Sequence, residues 1–404
     1  MKRLALSAIS LGVLAVVASA AHAQSSVTLY GTINKSLDCL NNEDTKNQWS
    51  IPSGSERGSL WGLSGSEDLS NDVRAVFRLE NGFNLNDSLL NRGWQEFGRQ
   101  AYVGLQNDTY GTLTIGRQNV PDTDLVQNLT AGSYLGAAFA TPGDIDNYDN
   151  SIRVNHSIKY KSPVLDGLQF ESLYAIGNHV KPLDGSYAWG AAIKHTSGPI
   201  SIAASYQYYN GDKDNKDNKD KKDNKDNKDN KGANNASAAL AASTKIISDS
   251  IFNSPINSNY ISAASLRIAR VASQYTIGPV KLGVAYSNAQ YMADSSSLFS
   301  QTQKFNTGNI SAIYQATPSF LTGIGYSYTK GSGNTSSNYS QVSFGANYSL
   351  SKRTDVYLIG AWQKATGQQS SGGEKAQAAI GSYGFSSLNN GAQGYVALGL
   401  RHKF

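Results

Sequence analysis

The chain contains one cysteine, Cys39, in 404 residues. It cannot close an internal disulfide, so no disulfide framework organises the fold, and it reads as an incidental thiol beside a loop. Histidine is nearly as scarce, with five residues, one of them in the N-terminal segment ahead of residue 24, and no metal-ligand spacing among them. His156, His179 and His195 read as surface residues. No GxSxG elbow, HExxH, GxxxxGK[ST] or paired cysteine occurs, so the expectation is a non-enzyme with no cofactor and no metal. The net charge of +5, about +3 once Lys2 and Arg3 are removed, is too weak to argue for a nucleic-acid partner. Beyond the N-terminus, no run approaches the ~18 apolar residues that a membrane helix needs.

The N-terminus is a separate matter. Lys2 and Arg3 precede an apolar run from Leu4 to Ala21, and Ala21-His22-Ala23 has the small-x-small form of a signal-peptidase site. Residues 1–23 are therefore expected to be a signal peptide, with the exported domain occupying 24–404.

What the chain has in quantity is tyrosine (23) and glycine (39), with a negative mean hydropathy of -0.39. From Val27 onward, short runs alternate apolar and polar residues, the period of a strand with two unlike faces. Seven short turns, among them 69–72, 107–109, 197–199 and 278–279, alternate with eight long polar connections. An up-and-down barrel with tight turns at one rim and loops at the other produces this order, and it implies sixteen strands. Charged residues keep to one phase: Val73, Ala75, Phe77 and Leu79 face outward and leave Arg74, Arg78 and Glu80 inside. Ile152, Val154, Ile158 and Tyr160 likewise read as outward, with Arg153, Asn155, Ser157 and Lys159 inward. An Arg or Lys on the lipid face at mid-bilayer would cost about 2–4 kcal/mol, so a membrane barrel requires such phasing. Lys35 and His156 break phase.

One stretch stands apart. Between the strand-like runs Gly111–Arg117 and Ile152–Tyr160, about 34 residues lack sustained periodicity, and a connection that long is improbable unless it is functional. It carries Asp122, Asp124, Asp144, Asp146 and Asp149. The expected structure is an all-β transmembrane 16-stranded antiparallel β-barrel, with this third loop (118–151) folded into the lumen. Another connection, 210–264, contains a low-complexity Asp-Asn-Lys insert at 212–231 that reads as a solvated zwitterionic segment, with a short helix expected at 236–243.

Six segments together resemble the Gram-negative general diffusion porins, in particular their beta-proteobacterial branch. They are Ser26-Val-Thr-Leu-Tyr-Gly31, Gly62-Leu-Ser-Gly-Ser-Glu-Asp-Leu69, Gly98-Arg-Gln-Ala-Tyr-Val-Gly-Leu105, Gly111-Thr-Leu-Thr-Ile-Gly-Arg117, Tyr348-Ser-Leu-Ser-Lys-Arg-Thr-Asp-Val-Tyr357 and Gly399-Leu-Arg-His-Lys-Phe404. The resemblance implies a multi-pass homotrimer in the outer-membrane lipid, passively admitting ions and small hydrophilic solutes. It further implies a constriction in which a basic wall, Arg78, Arg99, Arg117 and Arg153, faces loop acids drawn from Asp122, Asp124, Asp144 and Asp146. Phe404 matches the family's membrane-assembly signal. Leu60 and Ser64 stand where the family usually has basic residues, and a Pro-Glu-Phe element common in the loop is missing. The alternative is a substrate-specific outer-membrane channel, and a third class is an adhesin or structural barrel. A weak anion preference is expected.

Overall fold

The computed structural model describes residues 26–42, 47–70, 72–90, 95–176, 187–211, 251–370, 372–382 and 391–404. The signal-peptide segment, the 212–231 insert and the expected helix at 236–243 lie outside the described residues. The chain runs up and down through β1 (Ser26–Asn42), a three-residue strand β2 (Gln48–Ser50), β3 (Leu60–Ser70) and β4 (Val73–Gly82). Four short strands follow: β5 (Gln100–Asn107), β6 (Gly111–Gln118), β7 (Val154–Lys161) and β8 (Leu168–Ile176). Next come β9 (Tyr187–Ser197), β10 (Ile200–Asn210), β11 (Ser265–Ile277), β12 (Val280–Met292) and β13 (Gln303–Thr317). The set ends with β14 (Phe320–Ser332), β15 (Ser337–Ser349), β16 (Thr354–Gly367) and β17 (Ala392–Lys403).

Sequential neighbours pair antiparallel, and β17 returns to β1 with Thr32 opposite Lys403 and Leu37 opposite Leu398. With β2 only a short hairpin on β1, the result is a closed barrel of sixteen spanning strands. Closure removes the free edges of the sheet, so that strand backbone groups pair within the barrel, as a lipid environment demands. The C-terminus completes the seam: Gly31 and Phe404 exchange backbone hydrogen bonds of 3.0 and 3.1 Å. A Cβ at Gly31 would lie 2.3 Å from the Phe404 ring, so only glycine lets that ring lie across the strand.

Outward phases carry the apolar surface: Val27, Leu29, Ile33 and Leu37 on β1, Val284 and Tyr286 on β12, Val396, Leu398, Leu400 and Phe404 at the end of the chain. So continuous an exposed apolar band is a lipid-facing surface. The alternation read from the sequence holds for β9 and β12, and on β4 Arg78 and Glu80 take the expected inward side. It fails at the start of β7. Ile152 and Val154 are buried, packed with Val120 and Ile145, whereas His156, of the same parity as Val154, is exposed. His156 has φ +47, and the β6–β7 register shifts between Gly116 and Gln118. This bulge adds one residue to the count and returns the alternation to phase from Ser157 onward. Lys35 points outward, and its ammonium donates to Asn86 of the second loop.

Candidate functional site

The third loop enters the barrel as a chain of very short helical turns. These are α1 (Pro121–Leu125), a 3-10 turn at Gln127–Leu129, α2 (Gly132–Leu135), and further turns at Ala137–Phe139 and Pro142–Asp144. Pro121 pre-sets the first turn's φ, and Gly136, at φ +80, ends α2. The turns give the loop two faces. One is apolar: Leu125, Val126 and Leu129 sit on the small residues Ala192, Ala203 and Ala272 of the wall. Farther along, Leu135 and Phe139 fill space left open by Gly323, Gly325 and Gly345.

Ion pairs behind the loop fasten it there. Arg270 of β11 is 1% exposed at its side chain and ion-pairs with Asp122, also reaching Asp146 at 3.3 Å. Ser205 donates to Asp122 at 2.5 Å, Thr141 to Asp146 at 2.6 Å, and the Tyr148 ring lies 5.2 Å from the guanidinium carbon. Asp144 is buried too. Burial, with Asp149 beside it, pushes its carboxyl well above the ordinary range. Above the far half of the loop, Phe252, Tyr260, Tyr291, Phe299 and Phe305 form an aromatic plug with ring separations of 5.2–6.0 Å. Asn257 donates to the Gly143 carbonyl at 2.8 Å, tying the plug to the third loop.

That half of the lumen is thereby filled. The other half holds an open channel of ≈ 1270 Å³ between the polar face of the third loop and the wall of β3–β7 and β17. Its charged lining residues are Arg57, Arg78, Arg99, Arg153, Lys159, Lys161, Arg401 and Lys403 against Glu56, Asp124 and Asp149. Three buried carboxylates support the wall. Glu80 accepts from Arg99 Nε at 2.6 Å and from the Tyr30 hydroxyl at 2.9 Å. Glu171 lies 3.2 Å from Lys159 and 3.8 Å from Lys161, and Asp355 takes Arg401 at 3.0 Å and Lys403 at 3.8 Å. Counting these three with the lining acids, basic charges exceed acidic ones by two among the described residues.

Of the residues expected at a constriction, Arg78, Arg99, Arg153 and Asp124 line this channel together. Arg78 lies 5.6 Å over the Tyr30 ring, and Arg153 donates to the Asn150 carbonyl at 2.9 Å. Asp124 takes Lys159 at 2.6 Å; burial works against its charge, but that ammonium holds its carboxyl below the ordinary range. Arg117 lies elsewhere. Gly116, at φ +141, opens the bulge beside it, and its guanidinium turns along the wall to the Gly98 carbonyl at 2.8 and 2.6 Å and to Asn155 at 2.6 Å. Asp122, Asp144 and Asp146 lie on the buried side of the loop; Arg270 and the hydroxyls of Ser205 and Ser287 draw Asp122 and Asp146 away from the channel. Arg57, Lys161, Arg401 and Lys403 were not expected there. Period-2 phasing from the outward Leu398 and Leu400 would have found Arg401 and Lys403; nothing periodic marks Arg57.

A closed barrel with an apolar exterior and a loop-narrowed polar lumen has the form of a membrane pore, and the Gram-negative porin profile matches residues 8–368. The chain belongs to the Gram-negative porin family. The porin is 26% identical to an outer membrane porin protein of Bordetella pertussis, over 97% of each chain. It is 30% identical to outer membrane porin protein 32 of Delftia acidovorans, over 49% of this chain and 58% of that one. Among solved structures, the anion-selective porin from Comamonas acidovorans superposes with a TM-score of 0.68 at 20% identity, covering 94% of this chain and 100% of that one. The porin is thus an outer-membrane pore for passive diffusion, and the beta-proteobacterial resemblance holds.

Proposed function

We propose that this porin is a general diffusion pore with a preference for anions, constricted where Arg78, Arg99 and Arg153 face the polar edge of the third loop, and with no catalytic role. The excess of basic charge along the channel carries the reading. In a narrow lumen with low-dielectric walls, even a small excess of one sign biases which ions enter. The ion pairs within the wall make the bias moderate, since each carboxylate cancels much of its partner's field. The protein from Comamonas acidovorans, by its description, is an anion-selective porin, which agrees with this reading. Three copies are proposed to form the working unit after removal of residues 1–23, with Phe404 serving as the assembly signal. Another porin-fold protein, OmpT of Vibrio cholerae, has been described in a trimer form.

The test is the zero-current potential across a planar bilayer in a KCl gradient. The wild-type channel should show a potential of the anion-preferring sign, and the double variant Arg99→Ser/Arg153→Ser should move it toward cations. A strongly cation-selective wild type, or an unmoved double variant, contradicts the assignment. Saturable block by one solute in the same bilayer would favour the substrate-specific alternative. On gels, the unheated protein should migrate as an oligomer and the heated one as a monomer.

A further inference from the structure

The described part of the first loop, residues 47–59, does not stay at the rim. β3 pairs with β1 only as far as Thr32, and β2 pairs with it only from Asp38 onward. The intervening inner edge of β1 is covered by the segment 53–59, rich in serine and glycine. Asn34 donates its backbone N–H to Ser59 Oγ at 3.1 Å and its side-chain amide to the Arg57 carbonyl at 2.6 Å. Ser55 bonds Ser36 at 2.6 Å and donates to Asp38 at 2.5 Å. Gly54, at φ +80, makes the turn, and a Cβ there would lie 2.4 Å from the Arg57 carbonyl oxygen. Each lumen-facing residue of β1 from Asn34 to Asp38 is therefore used to hold this arm against the wall.

The arm also meets the third loop. The Arg57 guanidinium donates to the Ser133 carbonyl, and Gly136 lies so close to Glu56 that a Cβ would be 2.4 Å from its carbonyl oxygen. The two loops form a joined arch along one side of the channel. The two charges of the arm are placed differently. Glu56 is buried and pairs with Arg401 at 2.7 Å. Arg57 is exposed to the channel, and among the described residues its guanidinium makes one hydrogen bond, to Ser133, and has no carboxylate within ion-pair distance, Glu56 and Asp149 acting on it only from farther away. Arg99, Lys159, Lys161, Arg401 and Lys403 all have carboxylate partners.

A paired cation presents a dipole to a passing ion, whereas an uncompensated one presents a full charge. A guanidinium carries five N–H donors, so a single hydrogen bond leaves most of them for an anion. We infer that the first loop is the second jaw of the constriction and that Arg57 is a specificity-determining residue, a fixed charge outside any ion pair that favours small inorganic and carboxylate anions. This inference rests on the anion-preferring reading.

The experiment compares wild type, Arg57→Ser and Arg57→Lys by zero-current potential in KCl, with outward Lys330→Ser on β14 as a control. An unpaired charge about 8 Å from the ion path, which attracts anions and repels cations, is worth about fivefold in the anion-to-cation ratio even at the dielectric of water. Arg57→Ser should therefore lower the ratio by about that factor, with Arg57→Lys and Lys330→Ser close to wild type. Arg57→Lys falling as far as Arg57→Ser would show that the arch, not the charge, matters, and would overturn the inference. So would an unmoved Arg57→Ser in a wild type that prefers anions. A wild type without anion preference would instead defeat the broader reading. Should Arg57→Ser assemble poorly, Arg57→Cys in a Cys39→Ser background can be altered after assembly. A cationic thiol reagent should restore the preference and an anionic one reduce it further, and equal effects from the two would overturn the inference.

Discussion

At the scale of single residues, the side chains that fix the pore are mostly not the ones that face it. Arg270 is the clearest case, a buried cation joining two acids of the third loop to the wall. Removing one member of such a set leaves uncompensated buried charge and costs about 3–5 kcal/mol. Arg270→Met should therefore loosen the loop, lower the heat-dissociation temperature and give larger, noisier single-channel currents. Currents as steady as wild type would show that the apolar contacts suffice. Asp144 makes the opposite kind of contribution. Its carboxyl is pushed up by burial and by Asp149, so folding favours the protonated form. With the folded-state value raised, the benefit is complete at acidic pH, below the ordinary carboxylate range, and is lost as pH rises through the raised value. Asp144→Asn keeps an oxygen to accept from the Asp149 N–H, a bond of 2.7 Å in the wild type. The variant should be at least as stable as wild type at neutral pH and should lose this pH dependence. Urea midpoints from acidic to neutral pH check this, and a variant less stable at neutral pH would count against it.

Among the elements, strands were legible in the sequence and loops were not. A lumen-facing residue and a lipid-facing residue sit in opposite solvents, so Val73 to Glu80 and Val280 to Ser287 could be assigned to faces by alternation alone. The reading failed where the backbone departs from period two, at Gly116 and His156, and this misplaced Ile152 and Val154. The third loop was recognisable by its length and lack of pattern. The direction of its acids was not, because turns of three to five residues are too short to display a helical period. Nor was Arg57, which lies in a polar connection that reads as solvent-facing. The connection 210–264 divides similarly. Its end, from Ile251 to Ala263, packs into the aromatic plug. The Asp-Asn-Lys insert at 212–231 precedes that end and nearly balances its own charge. Deleting 212–231 should therefore leave single-channel conductance and heat stability near wild type, whereas Tyr260→Ala should lower heat stability. A several-fold change in conductance on deletion would mean that the insert reaches the pore.

On the scale of the whole molecule, the barrel is divided lengthwise. The third loop, with the plug above its far part, fills the side toward β9–β16, and permeation is assigned to the side bounded by β3–β7 and β17. On the proposed reading this asymmetry lets a barrel with sixteen spanning strands be selective, since ions would pass close to one charged wall instead of through the middle of a wide tube. The most direct test is thiol accessibility in a Cys39→Ser background, read in single channels. Thr112 lines the proposed path, and Ala203 lies under the third loop on the filled side. A bulky anionic thiol reagent should reduce the current and the anion preference of Thr112→Cys in discrete steps, and it should leave the current through Ala203→Cys unchanged. Rapid block at Ala203→Cys with none at Thr112→Cys would place the conducting path on the other side of the loop and contradict the account.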